Sequence, residues 1–140
     1  MILIAHRGNI NGPKPERENT IEYIEEALNL GYEAEIDVWG RNQLWLGHDK
    51  AENPCPIKFL MKHRKKLWIH CKNLEAMHTL REFSALNFFW HEEDKFTLTS
   101  QRFIWTYPGN RVCNKSVIVM RDIKEHNGEI CFGICADYLK

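Results

Sequence analysis

Apolar and polar residues alternate most regularly in residues 32–39. Apolar side chains occupy every second position there, and Glu33, Glu35 and Asp37 occupy positions between them. Because successive side chains of a β-strand point to opposite faces, this pattern predicts a strand with one apolar and one acidic face. The apolar face is expected in the core, whereas a row of carboxylates is costly unless something offsets its charge.

A helix is predicted directly before this strand. Apolar residues recur at helical spacing over residues 21–28, and Gly31 supplies a stop signal. Asn19 is expected to be the N-cap, with Glu22 in the capping-box position three residues later. The apolar run Ile2–Ala5 predicts an earlier strand, so the first 39 residues form a β-loop-α-β unit, normally a right-handed crossover between parallel strands.

Further apolar runs predict the remaining elements, which are helices over 57–65 and 73–83 and strands over 43–47, 67–72, 87–91, 102–107, 116–120 and 130–136. In the second of these helices Leu74, Met77 and Leu80 are spaced for burial. Strands and helices alternate in the first half, but no amphipathic helix separates the last four strands. We therefore expect an α/β fold, a reduced TIM-like (β/α) barrel with helices missing from the C-terminal half, formed by residues 1–140 as a single domain.

Composition restricts the function classes. The chain is 44% hydrophobic and 27% charged, with 19 basic and 19 acidic residues, so no overall field favours nucleic acid or an anionic membrane. No apolar stretch approaches the roughly 20 residues that span a bilayer, and the first residues lack a basic leader. The five cysteines have neither a disulfide-framework nor a zinc-site spacing, so we expect buried, reduced thiols and a cytoplasmic protein.

Two histidines flank the acidic strand in the sequence, and together with its carboxylates they indicate a catalytic site. Glu35 and Asp37 are the oxygen ligands that a hard divalent cation prefers. His6 ends the first predicted strand, and His48 follows the short strand after the acidic one. Imidazole gives or accepts a proton near neutral pH, so two histidines beside a metal favour catalysis over a solvated strand surface.

Four short motifs carry a resemblance: Ile4-Ala5-His6-Arg7-Gly8, Glu18-Asn19-Thr20, Glu35-Ile36-Asp37 and Gly47-His48-Asp49. Their order and approximate spacing resemble those of the glycerophosphodiester phosphodiesterase family. Trp105-Thr106 and residues 133–138 resemble later parts of the same family. The resemblance is dense over residues 2–49 and thin over residues 73–128.

This resemblance implies a metal-dependent phosphodiesterase, built on a (β/α)₈ barrel with its active site at the C-terminal ends of the strands. His6 and His48 would form the acid/base pair, and Glu35 and Asp37 would bind the divalent cation, Mg²⁺ or Ca²⁺ in that family. The chemistry is consistent, because phosphodiester cleavage needs a base for the nucleophile and an acid for the leaving oxygen. The expected substrate is a small glycerophosphodiester-like molecule, which would place the protein in lipid metabolism.

The resemblance also assigns further positions, with one departure. Arg7 would contact phosphate, and Glu18 would lie close to the metal. The family's third metal ligand, a Glu two residues before a Lys, is replaced here by His70, whereas Lys72 is retained and can neutralise a phosphate oxygen. An imidazole in place of a carboxylate favours Mn²⁺, Zn²⁺ or another borderline metal, or else removes metal affinity. Trp105 is a candidate for lining the substrate pocket.

Three alternatives stay open at this point. A phospholipase D-like enzyme, or a lyase that expels a cyclic phosphate, would use the same histidine pair with a different nucleophile. A degenerate barrel would bind a phosphorylated ligand or a partner without turning it over, and the His70 departure favours that interpretation. An acid from residues 91–94 would instead compensate for the departure.

The C-terminal half also predicts an interface. Its strand-like runs contain eight large apolar side chains, which are Phe88, Phe89, Trp90, Phe103, Ile104, Val117, Ile118 and Val119. Alternation turns only about half of them inward. An exposed apolar wall, and with it a two-fold homodimer, is therefore expected unless the loops at 92–101 and 121–129 cover it.

Overall fold

The structure is a computed structural model that describes residues 1–140. Ten strands are present: β1 (Ile2–His6), β2 (Glu33–Arg41), β3 (Gln43–Leu46), β4 (Asn53–Pro54), β5 (Leu67–Cys71), β6 (Phe88–Trp90), β7 (Phe96–Leu98), β8 (Ile104–Thr106), β9 (Ser116–Val119) and β10 (Gly133–Ala136). Three α-helices are α1 (Ile21–Asn29), α2 (Ile57–Lys62) and α3 (Leu74–Leu80), and one 3₁₀ turn covers Ile123–Glu125.

Seven of the strands form one parallel ladder in the order β6-β5-β2-β1-β10-β9-β8. Strand β7 adds antiparallel to β8, and the β3–β4 hairpin adds antiparallel to the far end of β2. The sheet curls, but no ladder joins its edges β6 and β7. They meet through Ser100, which exchanges two hydrogen bonds with Phe88.

The expected TIM-like barrel is therefore wrong: the molecule is a curled, mixed β-sheet half-barrel with three short helices. A (β/α) barrel requires a covering helix after nearly every strand, and here α-helices occur only before β2, β5 and β6. The connections at residues 107–115 and 120–132 contain Pro108, Gly109 and Gly128 and no amphipathic stripe. The parallel pairing of β1 with β2, expected from the β-loop-α-β unit, is present.

The sheet separates two kinds of packing. On its outer face the largest core cluster packs β2, β3 and β5 against the helices, with Ile24, Ile36 and Leu80 fully buried. Inside the curl, the aromatic side chains Trp68, Phe89 and Trp105 pack with aliphatic neighbours. Since the inner positions of β2 above this apolar layer are Glu35 and Asp37, the polar site lies at one open end of the curl.

Several local expectations changed in the structure. Helices α2 and α3 are shorter than predicted, ending at residues 62 and 80. Leu74 is exposed, because it is the first residue of α3 and faces solvent rather than the sheet. Thr20, not Asn19, is the N-cap of α1, and its hydroxyl accepts a hydrogen bond from the Tyr23 amide. The two-residue strand β4 and the edge strand β7 were not predicted.

The expected apolar wall is also wrong, since none of the eight large side chains of residues 88–119 is exposed. Phe88 and Trp90 pack against the outer core, whereas Phe89 and Val117 fill the curl. Ile118 lines the same depression as Val112. The homodimer stays a prediction that has lost this support. No helix has the length and apolar character that crossing a membrane requires.

Candidate metal and acid–base site

Parallel pairing brings the strand ends of β1, β2 and β5 to one edge. His6 is in register with Glu35, and Asp37 is in register with His70. All four side chains lie on the inner face, since they continue the alternation of inward positions along each strand. The chain turns sharply after His6 at Gly8, where φ is +92° and an added Cβ would lie 2.9 Å from the Tyr23 ring.

Glu35, Asp37 and His70 form a group whose ligand atoms all lie within 4.8 Å of one another. Nδ1 of His70 is 3.2 Å from Oδ1 of Asp37 and 3.8 Å from Oε1 of Glu35. Ligands about 2.1 Å from a shared cation lie at most about 4.2 Å apart, so the three side chains need to move by only a few tenths of an ångström each. These residues can hold a metal ion.

The hydrogen bonding of His70 favours that use. Its Nε2 lies 2.8 Å from the backbone carbonyl oxygen of His91, which can only accept, so Nε2 carries a proton. Nδ1 faces the two carboxylates. In the neutral ring it offers them a lone pair, which suits a metal ligand, and in the cationic ring it is a second N–H. Burial lowers the pKa of His70, but the hydrogen bond to Asp37 and the charges of Glu35 and Asp37 outweigh it and raise that pKa.

Glu35 provides the second observation that fits a cation. Its side chain is 3% exposed, and the buried Oε2 accepts no hydrogen bond. The pKa of Glu35 is raised, first by burial and then by the charge of Asp37. A buried carboxylate without donors is unfavourable, and a divalent cation would remove that penalty.

Asp37, by contrast, is surrounded by donors. Asn19 holds it from both ends: Nδ2 of Asn19 donates to Oδ2 at 2.9 Å, and the Asp37 amide donates to Oδ1 of Asn19 at 3.0 Å. Burial raises the pKa of Asp37, but hydrogen bonds from His48 and His70 and the charge of Arg7 hold it well below its usual range. The sequence motif contained Asn19, but it was interpreted as a helix cap.

His6 is oriented by a residue that was not assigned a role from the sequence. Its Nδ1 lies 2.9 Å from Oδ1 of Asp137, which also accepts a hydrogen bond from Nδ2 of Asn9 at 2.9 Å. Nε2 of His6 faces the cluster, 3.8 Å from Glu35. Burial lowers the pKa of His6, but the hydrogen bond with Asp137 and the charge of Glu35 outweigh it and raise that pKa.

Arg7 connects the cluster to the outer histidine. Nε of Arg7 is 3.2 Å from Oδ2 of Asp37, but the two atoms are not aligned for a hydrogen bond. Nη1 of Arg7 is 3.2 Å from Glu18, and Nη2 is 3.3 Å from Nε2 of His48. Because arginine can only donate, this last contact makes Nε2 of His48 an acceptor and places the His48 proton on Nδ1, 3.4 Å from Asp37. His48 is 43% exposed and lies at the opening.

The structure brings most, but not all, of the predicted residues together. Nζ of Lys72 lies 3.7 Å from Oδ1 of Asp37. Glu18 is bound by Arg7 and by Nδ2 of Asn9 at 2.8 Å and is not one of the three residues of the metal-sized group, so its place close to the metal stays a prediction. Trp105 is buried in the apolar layer, stacked on Phe89 at 4.6 Å, and so does not line the opening.

The charge balance of the site is uneven. Two more carboxylates than permanent cations are present, the acids being Glu18, Glu35, Asp37 and Asp137 and the cations Arg7 and Lys72. A divalent cation would offset that excess. The surface depression lined by residues 108–112, 118–120, 125–127 and 129 contains none of the candidate site residues.

Comparison with known proteins gave no match: no family model, no curated protein and no solved structure is similar to this chain.

Proposed function

We propose that this protein is a metal-dependent phosphodiesterase, distantly related to the glycerophosphodiester phosphodiesterases. The observation that carries the proposal is the arrangement at one sheet edge: a cation-sized Glu35-Asp37-His70 group lies between two histidines, of which Asp137 holds one and Arg7 contacts the other. A site that only binds phosphate has no need of two proton-transfer groups on either side of a metal position.

The two histidines have different roles in this proposal. His6 is held by Asp137, which favours its protonated form, so His6 is the general acid that protonates the leaving oxygen. His48 is more exposed and lies at the opening with Nε2 towards Arg7, so it is the proposed base that takes a proton from the nucleophile. Arg7 and Lys72 face the same opening and neutralise the non-bridging phosphate oxygens.

The metal is proposed to be Mn²⁺ or Zn²⁺ in preference to Mg²⁺ or Ca²⁺. Glu35 and Asp37 provide hard oxygen donors, but His70 contributes an imidazole nitrogen, which suits borderline metals. When bound, such a cation polarises a phosphoryl oxygen and offsets charge that develops in the transition state. A His70→Glu variant should therefore have a higher ratio of Mg²⁺ to Mn²⁺ affinity than the parent, and equal ratios would place His70 outside the ligand set.

A panel of phosphodiesters tests the function directly. The metal-free protein is incubated with glycerophosphocholine, glycerophosphoethanolamine, lysophosphatidylcholine or bis(p-nitrophenyl) phosphate and with Mg²⁺, Ca²⁺, Mn²⁺ or Zn²⁺ in parallel. Phosphorus NMR identifies the products. A phosphomonoester as the first product supports hydrolysis, whereas a cyclic phosphate as the end product supports the lyase alternative.

Glu35→Gln is the matched control, because it preserves the shape of the side chain and removes the charge that faces the metal position. Metal binding without turnover of any diester by the parent would favour the alternative of a phosphate-binding protein. Absence of both metal binding and turnover would overturn the proposal.

A further inference from the structure

The loop after β6 is held by a carboxylate that the proposed chemistry does not use. Oδ2 of Asp94 lies 3.0 Å from Nδ1 of His91 and accepts a hydrogen bond from Oγ1 of Thr97 at 2.6 Å. Asp94 itself is exposed, whereas the His91 side chain is 14% exposed. One carboxylate oxygen therefore connects the two ends of a turn that spans residues 91–97.

This turn reaches the metal group through its backbone. The carbonyl oxygen of His91 accepts the hydrogen bond from Nε2 of His70. The parallel pairing of β5 with β6 ends at Cys71 and Trp90, so His91 is the first residue that the ladder no longer positions. The position of the His91 carbonyl therefore depends on the turn, whose far end is held by the backbone hydrogen bond from Tyr107 to Lys95. Asp94 is the side chain that connects this held end, through Thr97, to His91.

Packing alone does not determine which ring atom of His70 faces the carboxylates. The ring stacks on Phe89 with a centroid distance of 5.4 Å and an interplanar angle of 6°. Stacking fixes the plane of an imidazole, but a half-turn about the Cβ–Cγ bond keeps that plane and exchanges Nδ1 with a carbon. A directional acceptor is required to distinguish the two orientations and to keep the proton on Nε2.

We infer that Asp94 is a positioning residue for the metal site: it closes the 91–97 turn so that the His91 carbonyl fixes the tautomer and orientation of His70. This inference rests on the proposed function, since it requires His70 as a ligand. Groups that orient a metal-binding histidine from behind typically change metal affinity by about 10–100-fold when removed. Asp94 acts at one further step, through the backbone of its own turn.

The experiment compares Asp94→Ala, Asp94→Asn and Glu93→Gln with the parent protein. Glu93 belongs to the same turn, is exposed and makes no hydrogen bond or ion pair, so its variant removes an equal charge without opening the turn. Nitrogen NMR of the metal-free protein reports the tautomer of His70, and calorimetry with Zn²⁺ reports its affinity. Circular dichroism shows whether each variant is folded.

Asp94→Ala should lose the fixed proton on Nε2 of His70 and bind Zn²⁺ about 10-fold more weakly or worse. Asp94→Asn should recover most of both properties, because its amide oxygen can accept from His91 and Thr97. Glu93→Gln should match the parent. If Asp94→Ala does not fold, Thr97→Val, which removes one of the two donors, should show the same tautomer change to a smaller extent.

Failure of this inference is distinguishable from failure of the proposed function. A parent that binds Zn²⁺ and an Asp94→Ala protein with the parent's tautomer and affinity would overturn the role of Asp94 and leave the metal site intact. A parent that does not bind Zn²⁺ would overturn the metal site, and with it this inference.

Discussion

The candidate metal group (Glu35, Asp37 and His70) and the outer residues of the site (Arg7 and His48) face the same opening but lie on different kinds of backbone. Glu35 and Asp37 lie on β2, a strand with parallel neighbours on both sides, and their side chains are 2–3% exposed. Arg7 and His48 lie in turns after β1 and β3, and His48 is 43% exposed. The hydrogen bonds between strands fix the positions of Glu35 and Asp37, whereas the positions of Arg7 and His48 depend on side-chain contacts.

This difference teaches that precision and cost are linked in the site. The carboxylates on β2 are buried and held by the strand. Because Oε2 of Glu35 accepts no hydrogen bond, their burial lowers the stability of the fold in the absence of a cation. Of the turn-borne groups, His48 remains partly hydrated and is expected to add little to stability. Substitutions in the two parts should therefore separate activity from stability, and the following changes test that separation.

The largest effect is expected for Glu35→Gln. Loss of a ligand charge removes several kcal/mol of transition-state stabilisation, which corresponds to about 10³-fold or more in rate. The free energy of unfolding of the metal-free variant should instead exceed that of the parent, because a neutral amide replaces a buried carboxylate whose Oε2 accepts no hydrogen bond. Steady-state kinetics and urea unfolding measure the two quantities.

Glu33→Gln is the control for this change. Glu33 lies on the same face of β2, two residues from Glu35, and its carboxylate accepts a hydrogen bond from the Trp68 indole at 2.6 Å. Its variant should keep the parent's activity. Equal losses of activity in the two variants would mean that the strand, and not the metal position, is being disturbed.

The histidines should show the next largest effects. His6→Ala and His48→Ala should each lower kcat by roughly 10²-fold or more, the scale of general acid–base catalysis. Their stability effects should differ. His48→Ala is expected within about 0.5 kcal/mol of the parent, whereas His6→Ala should cost about 1–3 kcal/mol, because the half-buried Asp137 keeps only its hydrogen bond from Asn9. An unchanged kcat in either variant would contradict the role assigned to that histidine.

Asn19→Ala should disturb Asp37 indirectly, because Asn19 holds Asp37 through two hydrogen bonds. The variant loses both hydrogen bonds to Asp37, each worth about 1 kcal/mol, and places alanine at a φ of +56°. A loss of about 2–3 kcal/mol in the free energy of unfolding is expected, with weaker metal binding. Thr20→Ala, which removes the helix cap for about 1 kcal/mol, should leave metal affinity unchanged. Equal metal affinities in the two variants would refute the support by Asn19.

Asp137→Asn should produce the smallest change. The carboxylate raises the pKa of His6 against the effect of burial, so the pKa of His6 should fall in the variant, as measured by NMR titration. Burial raises the pKa of Asp137, but the hydrogen bond and charge of His6 lower it below its usual range. An unchanged or higher His6 pKa in the variant would contradict the pairing.

The same two pKa shifts predict the pH dependence of stability. The raised pKa of His6 contributes stability that is complete below about pH 6.5 and is lost as the pH rises through that pKa. The lowered pKa of Asp137 contributes stability that is complete above about pH 4 and is lost as the pH falls through it. The stability difference between parent and Asp137→Asn should therefore be greatest between about pH 4 and 6.5.

Much of the site could be predicted because strand parity is a local property. Alternation alone placed Glu35 and Asp37 on one face and turned His6 inward at the end of β1. Motif order then added Arg7 and His48. The contribution of Asn9, Asn19 and Asp137 could not be read in this way, because a short polar residue in a loop is equally typical of a turn or a cap.

The fold was predicted less well than the site. Strand positions came from apolar runs, whereas the expectations of parallel strands and of a TIM-like barrel both relied on the alternation of β and α in the first half. The second half contains no amphipathic stripe to form covering helices, and its sheet instead adds β7 antiparallel at the edge. Side chains such as Phe89 and Val117 are buried inside the curl, which the linear pattern does not show.

The sequence by itself determined which residues are candidates for the chemistry and which face of each strand they occupy, because both depend on side-chain type and a period of two. Only the tertiary structure determined which of these residues contact one another. Strand β10 pairs with β1, so Asp137 reaches His6 across 131 positions of sequence, and the turn after β6 places the His91 carbonyl against His70. Such contacts depend on strand order and on the packing of distant segments, and neither is encoded in local periodicity.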